Sequence, residues 1–576
     1  MSIFSLAIAL SVIIFILVGL YAGRNVIKID DYFVAGRQAP TVLIVGSLVA
    51  SVFSASIFLG EAGFTYDGQL GPYILMPGVA VVGYVYGALF FGTFLRRSRA
   101  PTVADFFGQR FDSRKVQQAA GLTIIIGLSG YLVVVTQGAA ILLSELAGLD
   151  YFTAIFLAWF SYTLFTLYSG SKGVILTDTL MFLLFCGATL LFVDYIVGGL
   201  GGTAQAVEDL TRVKSKPDIA SWHGTVGPGT EWPTPKDYLI WSLVMDMSWG
   251  FVYAVGPWQA GRHLMARDEH VVIRAAIYAC LAVALMQILV YGVGGLINLS
   301  NPEISPSETV IIWAAQNLVP QFLGALLLAG IMAAALSSAS TFLSLVGFSV
   351  GNDLLPRKDK LTLRTSRLSM LATAVIVLIL CLLLPPNIFW LMLFIGTVFA
   401  SSWGPVGFMS IWSKSITADA AFWGIIVGFS GNVIPSGLEY LGLIQLPSYL
   451  NPAILGAGLS VTTIFFLSKI GVVTEREFSY RAHLHRTPIQ DHDQHKARTT
   501  IFASGFLILY GFVMPFLLIK YYVMPYQRGV GQLSLDGSLD YWTGESILAL
   551  LTAPVYIILG LIVAWVVWRR YYAGSR

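Results

Sequence analysis

QFLGALLLAGIMAAALSSASTFLSLVGFSV, residues 321–350, runs for thirty residues without an Asp, Glu, Lys, Arg or His. A helix of roughly 20 such residues crosses the ~30 Å hydrocarbon core of a bilayer, so the stretch reads as a membrane span. Its middle carries hydroxyls at Ser337, Ser338, Ser340 and Thr341. Small and hydroxyl-bearing residues let helices approach closely in lipid. They are also the neutral oxygen ligands that a hard cation prefers. Both readings are open at this point.

The same pattern extends in both directions. Fifteen spans are expected, near 2–22, 41–64, 72–95, 117–146, 151–170, 174–199, 237–261, 271–298, 321–350, 367–385, 387–412, 418–435, 449–470, 500–522 and 544–568. Pro385-Pro386-Asn387 divides the tenth from the eleventh, because neither proline continues a helix. Pro320 sets off a short amphipathic piece, 309–319, from the ninth. The first stretch lacks the basic flank of a secretory leader and has the length of a span.

Composition agrees with a lipid solvent. Only 11% of the 576 residues are charged and 56% are apolar, whereas a water-soluble surface needs about a quarter charged. The basic residues sit in short loops and form no single patch, which excludes a nucleic-acid binder. Cys186, Cys280 and Cys381 lie in apolar runs and imply no disulfide framework. No nucleophile–base pair or metal-spaced cluster lies within the spans, so an enzyme is not expected.

Charge sets the orientation. With the N-terminus outside, 28 of the 34 Lys and Arg fall on the inner side and 6 outside, as the positive-inside rule requires. The inner loops then carry Arg96, Arg97, Arg99, Arg110, Arg114 and Lys115, and Arg357, Lys358, Lys360, Arg364 and Arg367. The stretch Thr474 to Arg498, with His483, His485, His492 and His495, is expected to be a solvated cytoplasmic loop, since its histidines match no zinc spacing. Gly201 to Lys236 reads as an extracellular cap.

Four strings, in order, resemble the sodium:solute symporter family. Asp31-Tyr32-Phe33-Val34-Ala35-Gly36-Arg37 precedes the second span, and Thr102-Val103-Ala104-Asp105-Phe106-Phe107-Gly108-Gln109-Arg110-Phe111 lies in the next inner loop. Gly170-Ser171-Lys172-Gly173-Val174-Ile175-Leu176-Thr177-Asp178 opens the sixth span, and Ala333-Ala334-Ala335-Leu336-Ser337-Ser338-Ala339-Ser340-Thr341 falls on the ninth. The likeness covers roughly residues 1–470.

The resemblance implies an all-α, multi-pass cell-membrane protein with a LeuT-type 5+5 inverted-repeat core and about 15 transmembrane helices, N-out and C-in. It divides the chain into an extra helix and inner loop (1–40), a first repeat of spans two to six (41–200), the extracellular loop (201–236) and a second repeat of spans seven to eleven (237–413). Spans twelve and thirteen (414–470), a cytoplasmic loop (471–498) and two additional C-terminal helices (499–576) follow. Ser51, Ser54, Ala55 and Ser56 in the second span, and Gly250, Gly256 and Pro257 in the seventh, weaken the two helices at corresponding places. Such breaks point to a midplane site.

Sodium-driven symport of a small organic solute by alternating access is the implied activity, with Na+ as the coupling ion. A first sodium site would use the carbonyls of Ala50, Phe53 and Ala334 and the hydroxyls of Ser337 and Ser338. A second would use Asp178 with Ser337, Ser340 and Thr341. Trp249, Tyr253 and Pro257 are the aromatic pair and proline expected at the solute, with Ser51, Ser54, Ser56 and Gln137 as further candidates. An aromatic pair one turn apart serves plain packing equally well. The positions at which sugar cotransporters carry hydroxyl ligands are Ile57 and Met76, so an amino acid or monocarboxylate is favoured over a sugar. Two alternatives stay open: a proton-coupled carrier of the same fold, separated by the sodium dependence of uptake at fixed pH, and a membrane sensor working with a separate signalling partner.

The charge asymmetry makes the loops around Arg97 and Lys358 cytoplasmic and 201–236 extracellular. A cysteine placed at Thr225 should react with an impermeant maleimide added to intact cells. Reaction only after permeabilisation would reverse the topology.

Overall fold

The computed structural model describes residues 2–24, 26, 28–355, 362–534 and 536–572; Arg357, Lys358 and Lys360 lie outside the described residues. The described chain is helical throughout, with one isolated β-bridge joining Ala39 to Ala266. Twelve helices are long and apolar enough to cross a membrane. One of them, Tyr151–Gly199, has 49 residues. At 1.5 Å per residue it would run about 74 Å, far beyond one bilayer. Gly170, at φ 53° and ψ −152°, divides it into the fifth and sixth spans. The second and third spans are broken helices over 41–69 and 70–98, which turn into each other at Gly68, φ 131°. Among the described residues the bent pair Ser56–Leu75 and Ala80–Ser98 brings the count to at most thirteen by length and composition, against the fifteen expected, and the Gly170 break divides one of these.

Most starts are set by a side chain that accepts a hydrogen bond from a first-turn N–H. Thr102, Thr234, Asp268, Thr362, Thr417, Asn451, Thr474 and Thr543 all act this way. Pro320 and the Pro385-Pro386-Asn387 break fall between helices as anticipated, since Val310–Asn317 precedes Gln321–Phe348 and Leu363–Leu383 precedes Ile388–Trp412.

Layering follows from which helices have lost their contact with lipid. The ninth span is buried over most of its length, whereas Ile3–Gly23, Ala418–Tyr440 and Pro452–Ile470 keep most of their side chains at the periphery. The second span stops being α-helical after Ala50 and resumes at Ser56, and the seventh is interrupted at Gly256, whose ψ of 137° separates Pro235–Val255 from Pro257–Met265. Gly250 does not interrupt it. It lies within the helix, and its carbonyl lies where a Cβ on Gly83 would fall. The break is therefore narrower than the sequence suggested, because proline, and not glycine, removes the N–H that sustains the helix.

The inner and outer ends each close on themselves. Outside, Gln69 donates to Thr225 O and the Gly71 N–H to Ile219 O, so the 201–236 segment is seated on the turn between spans two and three. Inside, residues 474–498 depart from the expected solvated loop. Glu475–Leu484 is a helix with a capping box. Arg97 donates to Leu484 O (2.7 Å), Arg110 to Glu477 O (3.2 Å) and Tyr480 to Gln109 (2.7 Å). The basic inner-loop side chains hold this segment by donating to its carbonyls, an outcome that hydropathy does not register. No group of three or more His, Cys, Asp or Glu able to hold a metal occurs among the described residues.

The two C-terminal spans pack against each other and against the core. Tyr556 donates to Gly78 O at the bend of the third span (2.9 Å), and Tyr571 bonds to Glu269, which is itself paired with Arg97.

Gly170 is tied to Tyr32: a Cβ there would fall 2.5 Å from the Tyr32 ring and 2.7 Å from its carbonyl oxygen, at a φ that L residues rarely adopt. Gly170→Ala should therefore destabilise by about 2 kcal/mol or more, whereas Gly187→Ala, with nothing within 4 Å, should not. Thermal unfolding of the purified variants in detergent compares them, and equal midpoints would remove Gly170 from this role.

Candidate functional site

Breaking a helix inside lipid frees backbone groups that must find partners. At the break of the second span the accounting is nearly complete. Val49 O takes the N–H groups of Val52 and Phe53, and Leu48 O takes the hydroxyls of Ser51 (2.9 Å) and Tyr84 (3.1 Å). Ser54 and Ser56 bond to each other, and the Ser56 N–H donates to Ser54 Oγ. The Ala50 carbonyl is met from the ninth span, by Ser338 Oγ at 3.1 Å. Two members of the first expected sodium set, remote in sequence, are thus neighbours, and Ala50, Phe53, Ala334, Ser337 and Ser338 are all buried.

The second expected set is centred on Asp178, which is fully buried and so not hydrated from the inner face. Ser337 Oγ donates to its Oδ1 (2.5 Å) and Ser47 to its Oδ2. A cation also stands beside it. Arg262 Nη2 lies 3.1 Å from Asp178 Oδ2 and donates to Thr341 Oγ1 (2.6 Å), while Nε donates to Ser47 Oγ (2.9 Å) and Nη1 to Trp258 O (3.1 Å). Ser340 turns back to the Ser337 carbonyl (2.7 Å). The guanidinium contacts two members of the second expected set, Asp178 and Thr341, with oxygens from the second, sixth and ninth spans around it.

A separate cavity of about 100 Å³ lies towards the outer end, lined by residues of the second, third, seventh and eighth spans and by Leu393 of the eleventh. Trp249 and Tyr253 line it, as does Met76. Ser51, Ser54, Gln137 and Pro257 are not among its lining residues. Ser51 and Ser54 complete the helix break. Gln137 donates to Leu384 O (2.8 Å), tying the fourth span to the end of the tenth. Pro257 borders a small apolar pocket on the inner side.

Sequence reasoning passed over the most polar members of this cavity, Glu61 on the second span and Asp246 on the seventh, with Gln287 and Tyr291 from the eighth. Sequence reasoning assigned Arg262 no role either. The signal was available, since an ionisable residue inside a span is a functional candidate by default.

A family model described as the sodium:solute symporter family matches residues 32–428. The chain is 26% identical over 430 residues to the sodium/pantothenate symporter of Escherichia coli, covering 72% of this chain and 86% of that protein. It is 24% identical over 502 residues to the sodium/proline symporter of Salmonella typhimurium, covering 82% and 95%. Among solved structures, a substrate-bound, outward-open Na+-coupled sialic acid symporter superposes with a TM-score of 0.68 at 20% identity, over 83% of this chain and 99% of that one. A nucleobase-cation-symport-1 family transporter in a closed conformation gives 0.54 at 12% identity, over 78% and 98%. The fold is that of the LeuT type.

The Asp178–Arg262 pair makes a thermodynamic prediction. Removing one partner of a buried pair strands the other, at a cost of about 3–5 kcal/mol. Asp178→Asn should lower the unfolding midpoint in sodium-free detergent, and adding Arg262→Gln should recover part of the loss. A double variant less stable than Asp178→Asn alone would show that the guanidinium is held by other contacts.

Proposed function

Because the chain belongs to the sodium:solute symporter family, we propose how its residues divide the work of a sodium-driven symporter. Sodium:solute symport of a small organic solute at the cell membrane is its activity. The protein acts as a carrier and not as a catalyst.

The coupling sodium binds at the break of the second span, between the carbonyls of Ala50 and Phe53 and the ninth span's Ala334 carbonyl and Ser337 and Ser338 hydroxyls. The observation that carries this reading is the Ser338 hydroxyl 3.1 Å from the Ala50 carbonyl. An ion there holds the second span against the ninth, and therefore favours whichever conformation brings them together. Spans two to six and seven to eleven are the two inverted repeats, a division supported by the broken helix that begins each one.

The set around Asp178, with Ser337, Ser340 and Thr341, takes a second sodium only when Arg262 withdraws. In the arrangement described here the guanidinium supplies the positive charge that the carboxylate needs. Trp249 and Tyr253 face the solute, with the cavity that they line as its binding site. Ser51, Ser54, Gln137 and Pro257 shape the helix breaks and neighbouring contacts around it.

Linkage makes sodium and solute affinities reciprocal. In proteoliposomes, Ser338→Ala should raise the sodium concentration for half-maximal uptake, with solute affinity partly restored at saturating sodium. Ser337→Ala should have the larger effect, since that hydroxyl belongs to both sets. Asp178→Asn should lower the steepness of the sodium curve, and unchanged steepness would leave Arg262 as the permanent occupant. Normal sodium curves in all three variants would refute these sites.

Tyr253→Ala should raise the half-saturation concentration for solute at saturating sodium by about tenfold. An unchanged value, at normal membrane expression, would assign the ring to packing.

A further inference from the structure

The outer cavity holds two acids and no base, and its Tyr291 hydroxyl meets Glu61. Glu61 and Asp246 both line it, and none of its lining residues is Lys, Arg or His. Glu61 is 9% exposed, and neither carboxylate forms an ion pair among the described residues. Two buried acids elsewhere are paired with a cation, Asp178 with Arg262 and Glu269 with Arg97, while buried Asp353 is met by the neutral donors Thr102, Gln117 and Asn352. A carboxylate in a low-dielectric site is retained when a cation joins it.

Two further atoms in the same wall await a partner. The Tyr238 hydroxyl and the Trp249 indole Nε1 have no hydrogen bond, although the side chains are 1% and 9% exposed and both border the cavity. The indole nitrogen is a donor only, so it calls for an acceptor atom on whatever enters. Aromatic rings also line it beside aliphatic side chains: Tyr73 and Tyr291 are in edge contact at 4.9 Å between centroids, and Trp249 and Tyr253 lie at 5.7 Å. Ring faces attract cations and offer nothing to an anion.

Resting on the symport reading above, we propose that the solute carries a cationic nitrogen, received by Glu61 and Asp246, together with a hydrogen-bond acceptor directed at Trp249 and Tyr238. The class is that of zwitterionic or cationic amines, amino acids included. Simple monocarboxylates and neutral sugars fall outside it. The same cavity chemistry distinguishes this chain's solute from an acid that lacks nitrogen, a choice that Trp249 and Tyr253 alone did not decide.

The test uses the full-length protein. Purified wild type in sodium buffer is first heated with choline, alanine, proline, lysine, lactate, pyruvate or glucose. Stabilisation by members of the nitrogen-bearing group and not by lactate, pyruvate or glucose is expected. The strongest stabiliser is then taken, labelled, into proteoliposomes with an inward sodium gradient. Glu61→Gln and Asp246→Asn should each raise its half-saturation concentration about tenfold, with Glu61→Asp retaining more affinity than Glu61→Gln and the sodium half-saturation of each variant, measured at saturating solute, staying near wild type. Stabilisation by lactate or pyruvate equal to that by the amines, or by no amine at all, overturns the proposal even where a variant fails to fold. So does a shift confined to sodium affinity, which would make the two acids ion ligands. Sodium-driven uptake of a nitrogen-free acid, unaffected by Glu61→Gln, overturns it while leaving sodium symport intact. Uptake that ignores sodium for every solute instead refutes the symport reading on which it rests.

Discussion

A carboxylate and a guanidinium, Asp178 and Arg262, meet at 3.1 Å with almost no exposure to solvent and join four spans. Asp178 comes from the sixth, Arg262 from the far side of the break in the seventh, Ser47 from the second, and Ser337 and Thr341 from the ninth. In lipid, polar side chains of this kind have no water to turn to, so they fix the helices that satisfy them. The broken segments are where the helix backbone is weakest, and both are anchored here or immediately beside here. Ser338, next to Ser337, reaches the Ala50 carbonyl at the end of the second span's first half.

That arrangement explains how an ion could govern a movement. The ninth span is a continuous, buried helix, whereas the second and seventh each consist of two helical pieces with a non-helical joint. A cation between the joint and the ninth span changes the energy of one relative position and not of the other. Differential affinity for two conformations is the requirement for shifting their populations. Arg262, fixed to the chain, supplies the positive charge beside Asp178.

The outer cavity stands on the other side of the same joints. Its acids come from the second span's outer half and from the seventh span before its break, so the cavity and the polar cluster around Asp178 touch the same two broken helices. The peripheral parts brace this core. The outer segment caps the turn at Gly68, the inner helix Glu475–Leu484 is clasped by Arg97 and Arg110, and Tyr556 of the last span holds the third span at Gly78.

Hydropathy, charge asymmetry and proline placement determined the spans and their orientation, because solvent preference is a property of each stretch taken by itself. The family strings added Asp178, Ser337 and Ser338, residues that do lie at a buried polar site, and the aromatic pair Trp249 and Tyr253 added two residues that line the outer cavity. The fate of Gln137 and Pro257 was not legible: whether a polar or rigid residue faces a cavity or a neighbouring helix depends on rotation about the helix axis, which long apolar sequences hardly specify. Asp178 and Arg262 stand 84 residues apart, and Ser47 and Arg262 stand 215 apart. Glu61 and Asp246 belong to different helices of the fold. Only packing decided that the first two neutralise each other and that the last two share a cavity without a basic neighbour, since the energy of a buried charge depends on what three-dimensional contact places beside it.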